Sequence, residues 1–228
     1  MQPEHQQLWQ NACSQLQGQS RQILESGEIT RAGRTMHFVH KKKGERPENG
    51  YSLIFGLHGG GGVPKETNDQ QFSNHKNLYG KYLEDGTIWV APRSVEDKPD
   101  MWRKPYMEDF LYGLTQAFTS LNLVDPNKVF LTGYSAGGDG VYHMAPRMAD
   151  HFASAAMMAG HPNNVDLHNI RKLPFAIQVG GKETPYNRNV LAQKYIDIID
   201  EYRDEYGGFE QNSQVRPNKP HWMDFEEK

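Results

Sequence analysis

Lys128-Val129-Phe130-Leu131-Thr132-Gly133-Tyr134-Ser135-Ala136-Gly137-Gly138 is the stretch that decides the fold. Its first five residues are an apolar, β-branched run bounded by the turn Asp125-Pro126-Asn127, as in a buried strand. From Ser135 to about Asp150 the pattern turns helical, with Pro146 expected to kink or end the helix. Between them lies G-x-S-x-G. A strand-to-helix turn this tight forces its central residue into a strained backbone and demands small residues two positions to either side. It lifts the serine hydroxyl to the top of a sheet, at a helix N-terminus where partial positive charge gathers. Ser135 in that place is a candidate nucleophile; the bland reading is a glycine-rich helix entry carrying an idle serine.

Working outward, the same alternation repeats. Strands are expected at 36–40, 51–57, 87–91, 153–159, 175–179 and 210–215, and helices at 68–84, 108–121 and 187–206. The helix at 108–121 carries Phe110, Leu111, Leu114, Phe118 and Leu121 at helical spacing. Short apolar strands alternating with helices imply an α/β fold, a mostly parallel sheet with helices on both faces. Residues 1–35 read as an N-terminal helical extension, with a weak apolar stripe at Leu8, Ala12, Leu16 and Ile23, and residues 36–228 as the α/β domain.

The second informative string is His58-Gly59-Gly60-Gly61-Gly62, directly after the 51–57 strand. Four glycines in a row cost conformational entropy and make sense where backbone N–H groups must approach a ligand. The string fits neither phosphate-loop pattern, G-x-x-x-x-G-K-[ST] or G-x-G-x-x-G. It fits an oxyanion hole, with donors from Gly60 or Gly61 together with Ala136. His58 reads as a buttress of this loop rather than as a base.

Composition closes off other classes. With 25 Lys plus Arg against 28 Asp plus Glu, the net charge of -3 draws the chain to neither nucleic acid nor an anionic membrane. Lys41-Lys42-Lys43, followed by Gly44, reads as a solvated turn. Cys13 is the single cysteine, so no disulfide within the chain and no cysteine metal site is expected; no H-E-x-x-H is present, and no metal or cofactor is implied. The polar, Gln-rich start lacks the pattern of a secretory signal, and the expectation is a cytoplasmic protein.

The strings LHGGGG (57–62), VAPR (90–93), VDPNKVFLTGYSAGGDGVY (124–142) and AGHP (159–162) resemble the α/β-hydrolases grouped with polyhydroxybutyrate depolymerases and feruloyl or acetyl-xylan esterases. The resemblance runs from about Met36 to Trp222. It implies the α/β-hydrolase fold and a serine esterase acting on a small-molecule or polymer-derived ester through an acyl-enzyme. A peptidase or thioesterase on the same fold is the rival reading, and a degenerate hydrolase serving as a binding protein is the second. The family's chain order is nucleophile, acid, histidine. Of the histidines after Ser135, His143 and His151 lie on or just past the helix, His161 comes too early, and His168 sits between elements. His221 in Lys219-Pro220-His221-Trp222 is the expected base. The acid should follow the 175–179 strand, where many relatives show G-x-x-D; here Glu183 holds that spacing, with Asp166 as runner-up. Tyr134, His161 and Trp222 are expected to line the substrate site. Only seven residues follow His221, so the helix that normally closes this fold is expected to be missing or cut short.

Overall fold

The computed structural model describes residues 3–222, with side chains over 7–77 and 83–222. The elements in chain order are α1 (Pro3–Ser26), β1 (Glu28–Arg31), β2 (Arg34–Lys43), β3 (Tyr51–Leu57), α2 (Lys65–Tyr82), β4 (Thr87–Pro92), α3 (Tyr106–Ser120), β5 (Val124–Tyr134), α4 (Ala136–Arg147), β6 (Ser154–Met158), β7 (Phe175–Gly180), α5 (Arg188–Tyr206) and β8 (Gln214–Arg216). One eight-stranded sheet has the order β1-β2-β4-β3-β5-β6-β7-β8. The β1–β2 and β2–β4 pairs are antiparallel and all others parallel. This is the α/β-hydrolase fold.

The central strands have the burial their sequences call for. All six residues of β4 are buried, and β3 buries Leu53, Phe55 and Leu57 completely. Phe110, Leu111, Leu114 and Phe118 on α3 are fully buried against the sheet, each contributing about 1.5–3 kcal/mol of apolar burial. The register between β3 and β5 shifts after the pair Tyr51–Val124, where the Asp125 side chain accepts from Asn127 N–H at 2.9 Å. The expected turn at 125–127 is therefore a bulge inside a longer strand.

Three expectations need correction. The first concerns Lys41-Lys42-Lys43, which continue β2 and pair with Trp89, Ile88 and Thr87. The ladder is a backbone property that side-chain charge does not forbid at a sheet margin, and the Lys43 ammonium donates to Leu83 O. The second is the stripe on α1: Leu8 and Ala12 are exposed, and Leu16, Ile23 and Leu24 face inward. The helix is fastened to α3 partly by a buried hydroxyl pair, Ser20 to Ser120 at 2.8 Å. The third is the boundary at residue 35, which cuts through a hairpin. Glu28 pairs with His37 and Ile29 with Met36 across Ala32-Gly33, both at positive φ (46° and 74°). That two-residue turn matches strand twist, so the hairpin belongs to the sheet.

α4 ends one residue after Pro146, the early stop expected of a proline inside a helix. Among the described residues no helix is long and apolar enough to cross a membrane. The tail after Trp222, on which the expectation about a closing helix bears, lies outside the described residues.

Candidate active site

The site is built where β3, β5, β7 and β8 end. Ser135, between β5 and α4, has φ 57° and ψ -120°, a left-handed backbone that a non-glycine residue occupies only when its surroundings enforce it. They do. A side chain at Gly133 would collide with the Gly137 carbonyl, and one at Gly137 with the Leu57 carbonyl. Ser135 N–H donates to Met158 O at 2.9 Å on the neighbouring strand, and Asp139 N–H donates back to Ser135 O at 3.0 Å.

The glycine loop lies against this elbow. A methyl built on Gly59 would stand 3.2 Å from Ser135 Cβ, and one on Gly61 3.6 Å from Ala136 Cβ. Asn68, fully buried on α2, accepts from Gly61 N–H at 2.9 Å and donates to Gly61 O at 3.0 Å. The Gly61 amide is thus already committed, which corrects its place among the expected oxyanion donors. Gly60, at φ 111°, makes no hydrogen bond through its N–H among the described residues. Ala136 opens α4, where N–H groups have no acceptor in the preceding turn. Asn68 was not singled out in the sequence; a polar residue in the first turn of the helix after a glycine run was the only available hint.

His58 is fully buried beneath the loop. Its Nδ1–H donates to Gly59 O at 2.6 Å, its Nε2 accepts from Ser94 N–H at 3.1 Å, and its carbonyl accepts from Trp102 Nε1 at 2.8 Å. Burial lowers its pKa to about 4, so it is a neutral structural residue. Trp102 and Trp89 are core side chains.

His221 follows β8, and its Nδ1 lies 2.5 Å from Glu183 Oε1. Glu183 is 1% exposed, in the turn after β7, while the imidazole is 44% exposed. The two turns are stitched together by Gly181 N–H to Arg216 O at 2.7 Å and Lys182 N–H to Lys219 O at 3.0 Å. Asp166 is elsewhere: its carboxylate meets His168 Nδ1 at 2.5 Å and His168 N–H at 2.9 Å. His143 is half-buried on α4, where burial lowers its pKa to about 4, and His151 packs on Tyr112 at the surface.

Tyr134 was expected to touch substrate. It is 6% exposed, and its hydroxyl donates to the carbonyl of His221 while its ring meets those of His221 and Trp222 at 5.6 and 5.2 Å. It is a tether between the nucleophile strand and the histidine turn, with little surface left for a ligand. Trp222 is exposed. Half-buried His161 accepts from Asn163 N–H at Nδ1 (3.0 Å), so its neutral ring carries the proton on Nε2 as a donor. Its own N–H donates to Asp139, a carboxylate whose pKa is raised by burial. Among the described residues no group of three His, Cys, Asp or Glu side chains is gathered in the way a metal ion requires.

A model of the prolyl oligopeptidase family matches residues 99–209, which include Ser135 and Glu183 and stop before His221. Among solved structures, a ferulic acid esterase superposes with a TM-score of 0.57 at 15% identity, covering 86% of this chain and 89% of that one. A phospholipase/carboxylesterase from Dyadobacter fermentans DSM 18053 gives 0.59 at 16%, covering 84% and 92%. A thermostable esterase gives 0.55 at 15%, covering 82% of this chain, which spans about half (53%) of that protein. Among curated proteins none matches significantly. At these identities the structural likeness is one of fold, and the family match supports a serine hydrolase.

Proposed function

We propose that this chain, an α/β-hydrolase by its fold, is a serine esterase that works through a Ser135–His221–Glu183 triad. The observation that carries the reading is the meeting of His221 with a buried carboxylate, at 2.5 Å across 38 residues of sequence, tethered to the residue next to a strained serine. Ser135 Oγ attacks the ester carbonyl carbon as His221 Nε2 takes its proton. The carbonyl oxygen becomes an oxyanion, held by the N–H groups of Gly60 and Ala136. His221 returns the proton to the leaving alkoxide as the C–O bond breaks, giving an alcohol and an acyl-enzyme. Water then repeats the sequence and releases the acid. Glu183 fixes the imidazole with its proton on Nδ1 and stabilises the imidazolium that forms. His161, through Nε2–H, and Trp222 are the side chains we assign to the substrate side.

The test is a fluorophosphonate probe with mass mapping, beside turnover of p-nitrophenyl acetate. Labelling at Ser135 is expected, with Ser135→Ala losing it and losing turnover by several powers of ten, about 10⁶ where the equivalent loss is known. A Ser135→Ala protein that keeps a tenth of the turnover would refute the assignment. The match to a prolyl oligopeptidase family favours a second reading, a peptidase using the same triad. Aminoacyl p-nitroanilides cleaved faster than p-nitrophenyl esters, compared by kcat/KM, would select it.

A further inference from the structure

We infer that Arg188 is a positioning residue of this site, a fixed cation that keeps His221 in its neutral, proton-accepting form; this rests on the triad proposed above. Arg188 opens α5, and its Nη1 lies 3.2 Å from Glu183 Oε1, the same oxygen that His221 Nδ1 meets at 2.5 Å. Its side chain is 14% exposed, and its guanidinium lies 4.9 Å from the centre of the Tyr186 ring. The chain makes this contact by an unusual route: Tyr186 and Asn187 both take left-handed backbones (φ 58° and 54°), turning the helix start back over Glu183.

Charge balance gives the arrangement its meaning. The Glu183 side chain is inaccessible, and its Oε2 is buried without a protein partner among the described residues. An ionised carboxylate buried in this way needs a counter-charge. A histidine that serves as a base is neutral before reaction and cannot supply one. Without Arg188, the carboxylate would satisfy itself by drawing a proton onto His221, and the resting enzyme would hold an imidazolium with nothing to accept. With Arg188 present the resting pair is already neutral, and a second positive charge on His221 is disfavoured until the oxyanion forms to balance it. Arg188 therefore leaves the imidazole free to accept the Ser135 proton, and its removal should show in the pH dependence of activity.

The other charged or titratable groups around this unit do not substitute for Arg188. Asp139 on α4 feels its charge but is committed to His161 N–H and Asn163 Nδ2. Tyr134 on β5 and His161 after β6 are neutral in the roles described, and Tyr186 offers the guanidinium only its ring. Lys182 N–H donates to Lys219 O through the backbone.

The experiment compares wild type, Arg188→Met and Arg188→Lys in two readouts. In kcat/KM against pH for p-nitrophenyl acetate, Arg188→Met is expected to move the acid limb upward by about one pH unit, with the loss in kcat rather than KM. Arg188→Lys, which keeps the charge, should bring most of the limb back. The His221 ring titration is followed by NMR in a Ser135→Ala background and should show the same displacement without any turnover. A loss of activity at all pH values with both midpoints unmoved would make Arg188 a packing residue and overturn the inference, as would an unchanged profile. A wild type that fails to label at Ser135 would sink the esterase reading instead, while the NMR midpoint still decides the role of Arg188.

Discussion

Ser135 and His221 both follow the carboxyl ends of parallel strands in the same sheet, yet they are held there by different means. The serine lies at the end of β5, which has a hydrogen-bonded strand on either side. Its turn is dictated by backbone crowding at Gly133 and Gly137 and by main-chain bonds. The histidine follows β8, three residues long and paired with β7 alone. Main-chain bonds fasten its turn to the one after β7, but within that turn the histidine is oriented by side chains, the Tyr134 hydroxyl and the Glu183 carboxylate. A position enforced by main-chain packing fails only when the fold fails. A position enforced by a few side-chain bonds fails alone, leaving an intact protein that does no chemistry.

Removing the acid is the harshest way to press this contrast. Glu183→Gln is expected to cost about 10⁴-fold in kcat, as in a comparable triad, because an amide favours the wrong imidazole tautomer and cannot balance the imidazolium. The thermal midpoint should fall, because Arg188 loses its buried partner, but the folded fraction should still label at the serine, more slowly. Asp166→Asn, which breaks only the exposed pair with His168, should be silent in the same assay.

Acid attacks the other region. Burial holds His58 at a pKa of about 4, below the usual histidine value, so the folded chain binds fewer protons than the unfolded one between pH 4 and about 6.5. Stability is therefore lost as pH falls through that window. His58 alone accounts for about 2 kcal/mol between pH 8 and pH 5. Its Nε2 already accepts from Ser94 N–H, so a proton there would set two donors face to face. Denaturant titrations at the two pH values check the loss. Equal stability at both would mean that the glycine loop does not depend on a neutral His58.

The mildest change sharpens the comparison most. Tyr134→Phe removes one hydroxyl from the tether and leaves the elbow glycines alone. About a tenfold fall in kcat is expected, the worth of one good hydrogen bond, with unchanged stability and complete labelling at long times. A fall in thermal midpoint without a fall in kcat would show that the hydroxyl serves packing.

The same contrast explains what the sequence made legible. The elbow and the glycine loop are encoded in spacing, Gly133 to Gly137 and His58 to Gly62, because steric crowding leaves few residues able to fill those positions. The parallel sheet was legible for a similar reason, in the runs of β3, β4 and β5. The hairpin of β1 was not, since its four residues alternate without a strongly apolar face and its turn is Ala32-Gly33 rather than a stronger hairpin signal. Lys41-Lys42-Lys43 misled because charge was read where the backbone ladder decides. Asn68, Tyr134 and Arg188 act on residues 7, 87 and 5 positions away. For Asn68 the glycine run gave a faint hint; for Tyr134 and Arg188 only the folded chain identifies the partner.

The brevity of β8 bears on how this molecule ages. A margin held by three paired residues opens and recloses at a small fraction of the free energy that releases the whole sheet. Amide exchange along 214–221 would then run ahead of exchange in β3 and β5, and a protease could cut the histidine turn in a chain that is otherwise native. The working lifetime of the enzyme would be the lifetime of that margin, while a spectroscopic signal from the helices still reported a fully folded protein.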